Sequence, residues 1–272
     1  EHMYEEAMNE YRRGLELNPN DILIKHGMAN LMRNQKRYEE AFNLYQNIEK
    51  ADKKREWLHL DKGIAYGEMG DIGNAIKELE IEERLYPGKA DTHHQRGIIY
   101  RLQHYYNMAL EEFKCTNDIA PGFEYVHHEM GITYREMGYI GNAIKELEIE
   151  ERHYPGKIIT LYNLYSAYES VRRKGEAIAG FHNILRSKMP SITIKAGCYF
   201  HLGRICMGDN RHYEAIKFFK RCLKIQPGHK KAKESLRQLR PLILDTYSQN
   251  SIFKGKNSYE YTDNKNSPIL CI

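Results

Sequence analysis

Two pairs of adjacent histidines are the side chains in this sequence best suited to chemistry. His93 and His94 stand 34 residues before His127 and His128, and imidazole nitrogen is a frequent zinc ligand. A zinc site needs three or four ligands, and no cysteine or acidic set joins these pairs apart from Glu129. We therefore predict that they hold no metal, with a shared metal as the less favoured alternative.

Motifs typical of enzymes are incomplete or missing. The segment GEMGDIG at 67–73 has the glycines of a dinucleotide fingerprint, but that motif follows a strand and this one fits a turn between helices. HHEMG at 127–131 lacks the second histidine that a zinc protease would place at Ile132. Neither a phosphate-binding GxxxxGK motif nor a GxSxG nucleophile motif occurs. The sequence predicts no catalytic residue and no cofactor.

The elements that position these residues follow a fixed period. Alanine recurs at six positions spaced 34 residues apart and once more after 38 residues. Residues 63–89 and 131–157 differ at only four of 27 positions. This period is typical of helix-turn-helix arrays, in which each unit buries its apolar face against its neighbours. The recurrent residues are Ala7, Ala41, Ala75, Ala109, Ala143, Ala177 and Ala215.

Other residues recur in register with the alanines. A glycine lies midway along the first predicted helix, a tyrosine follows three residues later, and a proline ends the second helix. In one repeat these residues, with the alanine, are Gly97, Tyr100, Ala109 and Pro121. On these landmarks, residues 1–229 resemble the tetratricopeptide repeat family.

The resemblance implies an all-α, right-handed superhelical solenoid of antiparallel helix pairs. We expect about six full repeats, an N-terminal half-repeat and a C-terminal capping helix. The expected domains are a solenoid at 1–244 and a flexible polar tail at 245–272. Within the solenoid, the half-repeat covers 1–21, the repeats cover 22–55, 56–89, 90–123, 124–157, 158–191 and 196–229, and the capping helix covers 230–244.

The fifth repeat departs from the pattern. Tyr165 occupies the position of the small residue, and four extra residues, 192–195, follow the repeat. We expect an irregular joint, with 158–200 the least regular part of the array. The aromatic residues of the tail either stay free or pack on the solenoid or a partner; they are Phe253, Tyr259 and Tyr261.

Composition argues against several classes of protein. A net charge of +4 with 29% charged residues gives no strong case for nucleic-acid binding. The five cysteines form no CxxC pair, which favours reduced thiols and a cytoplasmic protein. No apolar run approaches the roughly 18 residues of a membrane helix. A native N-terminus further upstream would leave targeting open.

The resemblance places a peptide-binding groove on the first helices. In this family, the second, fifth, ninth, twelfth and thirteenth residues of each first helix commonly face an extended peptide or a partner helix. The predicted groove residues are His26, Asn30, Arg33, Trp57, Leu60, His94, Ile98, Arg101, Tyr125, His128, Arg135, Tyr162, Phe200 and Arg204.

Three groove arginines share one repeat position. Guanidinium groups bind carboxylates in a bidentate manner, so these residues could hold an acidic peptide. The equally weighted alternative is local pairing with glutamates of this chain. The arginines are Arg33, Arg101 and Arg135, and the glutamates are Glu68, Glu129 and Glu136.

Two further patterns limit the choice of partner. Co-chaperones of this family hold EEVD tails with a lysine and an asparagine four residues apart, but here Asn30 is paired with His26 and the next repeat offers Asp61. The EEVD clamp is therefore not expected. The run IKELEIEER, present at 76–84 and 144–152, predicts a mainly solvated face, with a surface for a basic partner as the less favoured reading.

These features predict a non-enzymatic scaffold that binds a peptide or helix of a protein partner and helps to assemble a complex. One alternative is a regulatory or targeting arm of a larger enzyme, such as a glycosyltransferase. A less favoured alternative is RNA binding in the superhelical channel.

Overall fold

The computed structural model describes residues 2–171, 173–188, 190–239 and 241, and all their regular elements are α-helices. None of these helices is long and apolar enough to span a membrane. The helices are α1 (His2–Leu17), α2 (Ile22–Asn34), α3 (Tyr38–Ala51), α4 (Leu58–Met69), α5 (Ile72–Leu85), α6 (Ala90–Leu102), α7 (Tyr106–Ile119), α8 (Val126–Glu136), α9 (Ile140–His153), α10 (Ile158–Ser170), α11 (Lys174–Arg186), α12 (Ile192–Gly208), α13 (His212–Ile225) and α14 (230–239).

The chain divides into two compact units, Glu1–Ala167 and Tyr168–Ile272. The boundary between them falls inside α10. From α2 onward, each repeat supplies a first helix with an even number and a second helix with an odd number. This order confirms the predicted all-α array of helix pairs.

Short turns join the two helices of each repeat. Gly70 and Gly138 lie in these turns with φ of 84° and 87°, a left-handed conformation that glycine adopts without a steric penalty. Lys36 and His104 occupy the same turn position in other repeats with φ of 61° and 63°. The turn geometry is thus kept even where the residue disfavours it.

The mid-helix glycines allow close contact between the two helices of a repeat. A Cβ added at Gly97 would lie 2.6 Å from the ring of Phe113, and one at Gly131 would lie 2.7 Å from Leu147. Such distances leave no room for a side chain. Both apolar partners are fully buried, so the glycines are packing residues, as their position in the repeat predicts.

The spacing of 38 residues has a simple structural origin. The four additional residues, 192–195, form one extra turn at the start of α12, which is 17 residues long. The Ser191 hydroxyl caps this turn by accepting a hydrogen bond from the Ile194 N–H at 3.2 Å. The insertion therefore lengthens a helix.

The predicted capping helix is present as α14 over 230–239. Ala232 and Leu239 are fully buried in a cluster with Phe219 of α13. The remainder of the predicted cap and the tail, including its three aromatic residues, lie outside the described residues.

Candidate binding surface on the first helices

Adjacent first helices of the unit 1–167 are joined by polar side-chain pairs that recur in the repeat register. Each pair, here called a rung, connects residue twelve of one repeat to residue six of the next, with residues counted from the first residue of each repeat (22, 56, 90, 124, 158 and 196). The rungs are Arg33 to Asp61, Arg101 to Glu129 and Arg135 to Asn163, with donor-to-acceptor distances of 3.1, 3.1 and 2.7 Å.

Asp61 is the centre of the first rung. Besides Arg33, its carboxylate accepts a hydrogen bond from Asn30 Nδ2 at 2.8 Å, and His26 Nε2 lies 2.8 Å away. Only 13% of the Asp61 side chain is exposed. Three predicted groove residues are therefore engaged by one carboxylate of the next repeat, and Arg33 is paired with Asp61 instead of the expected Glu68.

Two carboxylates hold Arg101. Its guanidinium lies 3.1 Å from Glu129 and 3.3 Å from Glu136, the local partners that the sequence offered. Burial raises the pKa of Glu129, while the nearby Arg101 opposes that shift. Local pairing therefore satisfies Arg101 without an acidic ligand.

The third rung differs because its acceptor is an amide. Arg135 Nη1 donates a hydrogen bond to Asn163 Oδ1. Among the described residues, no carboxylate forms an ion pair with the Arg135 guanidinium. Burial lowers the pKa of Arg135. Burial also lowers the pKa of the adjacent His128 to about 4, with Arg135 and Arg101 adding to the shift.

At the junction of α4 and α6, residue twelve is Gly67, which has no side chain to form a rung. A Cβ at Gly67 would lie 3.3 Å from Ile99 Cγ1, so an aliphatic side chain of the next repeat fills this position. In the second unit, Glu169 and His201 occupy the rung positions with the acid and base exchanged, 2.5 Å apart.

Residue five of the first helices is buried in five repeats, which corrects the expectation that this position faces a ligand. His94 has 8% of its surface exposed and packs against the rings of Phe113 and Phe123. Burial lowers the pKa of His94 to about 4. The buried members of the predicted groove are His26, Leu60, His94, His128 and Phe200.

The accessible part of the predicted groove is correspondingly smaller. Trp57 is 37% exposed, and Lys89 Nζ lies 3.8 Å from the centroid of its ring. The prediction omitted Ile64, which is residue nine of the repeat 56–89 and is partly exposed like Ile98. The repeat register alone identifies it. The predicted residues that are partly or fully exposed are Asn30, Arg33, Trp57, Ile98, Arg101, Tyr125, Arg135, Tyr162 and Arg204.

Two buried carboxylates fix the start of α4 and of α8. Glu150 of α9 is fully buried and accepts hydrogen bonds from the backbone N–H groups of Tyr125 at 2.9 Å and His128 at 3.3 Å. Glu82 of α5 does the same at α4. A carboxylate at this place satisfies free N–H donors and the helix dipole. Each IKELEIEER run, predicted to be mainly solvated, thus contains a buried structural acid.

The first histidine of each adjacent pair bonds a glutamate on the second helix of its own repeat. Within the described residues, no group of three His, Cys, Asp or Glu side chains is arranged to hold a metal. The same contact occurs in a repeat with a single histidine, so it is a recurrent structural contact. The pairs are His59 with Glu78, His93 with Glu112 and His127 with Glu146, at 2.6, 2.7 and 2.7 Å.

The second unit has its own open cavity, of about 530 Å³, between α12 and α14. Phe200 and Arg204, both predicted groove residues, line it. Residues twelve and six at this junction are Met207 and Ser235, and both border the cavity. The positions that rungs occupy elsewhere therefore surround open space here.

Comparison with known proteins agrees with this repeat architecture. A family model described as tetratricopeptide repeat matches residues 196–229. No curated protein matches the sequence. Among solved structures, a human IFIT1 dimer with PPP-AAAA is similar with a TM-score of 0.70 and 17% identity, over 91% of this chain and 61% of that chain.

Two further structures are similar in fold. A tetratricopeptide repeat protein from Parabacteroides merdae has a TM-score of 0.63 and 15% identity, over 88% of this chain and 99% of its own. The Cut9-Hcn1 complex has a TM-score of 0.68 and 12% identity, over 87% of this chain and 46% of that chain. At these identities the likeness concerns the fold.

Paired helices in a fixed register define an α-helical repeat protein. Glycine contacts occur inside the pairs α4–α5, α6–α7, α8–α9 and α12–α13, and rungs join several of the first helices. Residues 196–229 match the tetratricopeptide repeat model, and the chain has the fold of tetratricopeptide repeat proteins.

Proposed function

We propose that this chain is a non-enzymatic scaffold that binds an extended peptide or a helix of a protein partner along its first helices. One observation carries the proposal. Residue nine of the repeat is an isoleucine in three consecutive repeats, on α4, α6 and α8, and each of these isoleucines is partly exposed. They are Ile64, Ile98 and Ile132.

This row of isoleucines has the chemistry of an interface. Apolar side chains that become buried on binding supply much of the binding free energy. A rung joins α6 to α8, and the close contact of Gly67 with Ile99 joins α4 to α6. The isoleucines are therefore positioned before a partner arrives, which reduces the entropic cost of binding.

The charge distribution favours a peptide over a nucleic acid. The similar IFIT1 structure contains PPP-AAAA. Binding of phosphate groups depends on cations that are free to neutralise their charge. On the present chain, Asp61 neutralises Arg33, and Glu129 and Glu136 neutralise Arg101. Two of the three groove arginines that share one repeat position therefore offer little net positive charge to phosphates.

Site-specific photo-crosslinking tests the proposal. Benzoylphenylalanine would replace Ile98 on α6 or, as a matched control, Met108 on α7, which is 45% exposed. In extracts of the native cell we expect a discrete crosslinked protein from position 98, lost on adding Ile132→Glu, and none from position 108. Equal products from both positions, or products from 108 alone, would refute the assigned surface.

A further inference from the structure

One cation on the first-helix surface has no carboxylate partner among the described residues. Asp61 balances Arg33, and two glutamates balance Arg101. Arg135 has only the neutral amide oxygen of Asn163, at 2.7 Å. A partly buried guanidinium that keeps its full charge against an amide retains an unused capacity for an anion.

The bond to Asn163 leaves further donors on Arg135. A guanidinium carries five N–H groups, and the bond to Asn163 uses Nη1 alone. Arg135 is partly exposed, and none of its nitrogens is among the buried atoms without a partner in the described part of the chain. Two N–H groups of a guanidinium can bind both oxygens of one carboxylate.

The charges around Arg135 favour a monoanion. Arg101 pairs with Glu129 and Glu136, and the charge of Glu136 also acts on Arg135. A single carboxylate adds one negative charge next to a cation. A triphosphate or phosphodiester chain would place several negative charges beside both glutamates, where like charges repel.

We propose that Arg135 anchors a side-chain carboxylate of an extended peptide partner, beside an aliphatic residue of that peptide packed on Ile132. Ile132 lies three residues before Arg135 and so shares its helix face. Asn163 acts as a positioning residue, because its amide fixes Nη1 and directs the other donors outward. This assignment rests on the proposed scaffold function and adds the chemistry of its ligand.

The chain contains an internal control for this site. Residue twelve of the related repeat 56–89 is Gly67, where Ile99 fills the space. Arg135→Gly therefore introduces the residue of the related repeat, next to Ala167 in the place of Ile99. Arg135→Gln is the second variant, because it keeps the helix propensity and removes the charge.

The probe is a phage library of random 12-residue peptides selected on the full chain. We expect selected peptides to carry Asp or Glu at a fixed distance from an aliphatic residue. Binding of the corresponding synthetic peptides should weaken at least about tenfold in Arg135→Gly and Arg135→Gln, as for loss of a charge-assisted hydrogen bond. Changing the peptide acid to its amide should weaken binding equally, with no further loss when both changes are combined.

Other outcomes separate the two proposals. Peptides without acidic enrichment, or with equal affinity for the Arg135 variants, would overturn the anchor; if they still crosslink at position 98, the scaffold function stands. Failure to select any peptide that crosslinks there would count against the scaffold function itself. Binding of 5′-triphosphorylated AAAA that is lost in Arg135→Gln would replace the carboxylate with a phosphate.

Discussion

Residues 63–89 and 131–157 have almost the same sequence, but the repeats that contain them, 56–89 and 124–157, present different surfaces. Both use a glycine against a leucine to pack their helices, Gly63 on Leu79 and Gly131 on Leu147. Both use a buried glutamate to fix the first helix. Four positions differ between residues 63–89 and 131–157: Ala65 and Thr133, Gly67 and Arg135, Asp71 and Tyr139, and Leu85 and His153.

The difference teaches that contacts within a repeat and contacts between repeats vary separately. The shared pairs Gly63–Leu79 and Gly131–Leu147 lie between the helices of a repeat, where a one-carbon change is felt. The change from Gly67 to Arg135 lies between neighbouring first helices, where Ile99 lies beside Gly67 and Asn163 bonds Arg135. A repeat can therefore change its contact with the next first helix and keep the glycine contact inside its own pair.

The strongest test of shared packing is overpacking at equivalent glycines. Gly63→Val and Gly131→Val should each destabilise the protein by roughly 2 kcal/mol, because a Cβ there lies 2.9 or 2.7 Å from a leucine side chain. The midpoints of thermal unfolding, followed by circular dichroism, should fall by a similar amount for both variants. Gly141→Val is the control, since nothing lies within 4 Å of its Cβ. Unequal losses at the two glycines would show that the copies do not share a core.

The next test uses residue five, which is Leu60 in one copy and His128 in the other. The pKa of His128 is lowered to about 4 from 6.5, so the unfolded state binds more protons between these values. The contribution of neutral His128 to the free energy of unfolding is fully present above pH 6.5 and is lost as the pH falls towards 4. At pH 5 the loss is on the order of 1 to 2 kcal/mol.

His128→Leu removes this titration and introduces the residue type of the other copy. Chemical denaturation at pH 7 and pH 5 should therefore show a smaller pH dependence for this variant than for the wild type. His94 keeps its own acid sensitivity in both proteins, so some dependence remains. If the free energy of unfolding changed between pH 7 and pH 5 by the same amount in His128→Leu and in the wild type, the lowered pKa of His128 would be refuted.

A smaller effect is expected from the third rung. A double-mutant cycle of Arg135→Ala and Asn163→Ala should give a coupling energy of about 1 kcal/mol. Either single substitution removes the hydrogen bond between the two side chains, so the second substitution cannot remove it again. The matched pair in the other copy is Gly67→Ala with Gln95→Ala, for which we expect coupling near zero. Equal coupling in both pairs would remove the distinction between the junctions.

The smallest expected effect concerns the start of the second helices. Asp71 caps α5 by accepting a hydrogen bond from the Asn74 N–H at 3.2 Å, whereas Tyr139 gives α9 no side-chain cap. Tyr139→Asp should stabilise the protein by about 0.5 to 1 kcal/mol. Asp71→Ala should lower the free energy of unfolding by a similar amount. A shift of the thermal midpoint in the same direction for both variants would contradict this prediction.

The sequence predicts the packing positions well because they depend on one repeat at a time. Gly97 and Phe113 belong to the same helix pair, and the 34-residue register places them opposite each other. The turn at Gly138 follows from the same local pattern. These contacts need no knowledge of how one repeat lies on the next.

Contacts between repeats were harder to predict for a physical reason. Both Asp61 and Glu68 lie on α4, and only the rotation between neighbouring repeats decides that Asp61 meets Arg33. That rotation also buries His94. Likewise, the acids of IKELEIEER have the spacing of a solvated helix face, and Glu150 is buried because the N-terminus of another helix lies beside it.

The buried glutamates also bear on how this chain folds. Glu150 bonds backbone groups 25 and 22 residues away, and the rung of Arg135 spans 28 residues. Contacts of such short range give a low contact order, and proteins with low contact order fold quickly because little loop entropy is lost before the contacts form. Each repeat can therefore assemble as soon as its own helices and the next first helix have been synthesised, without waiting for a distant part of the chain.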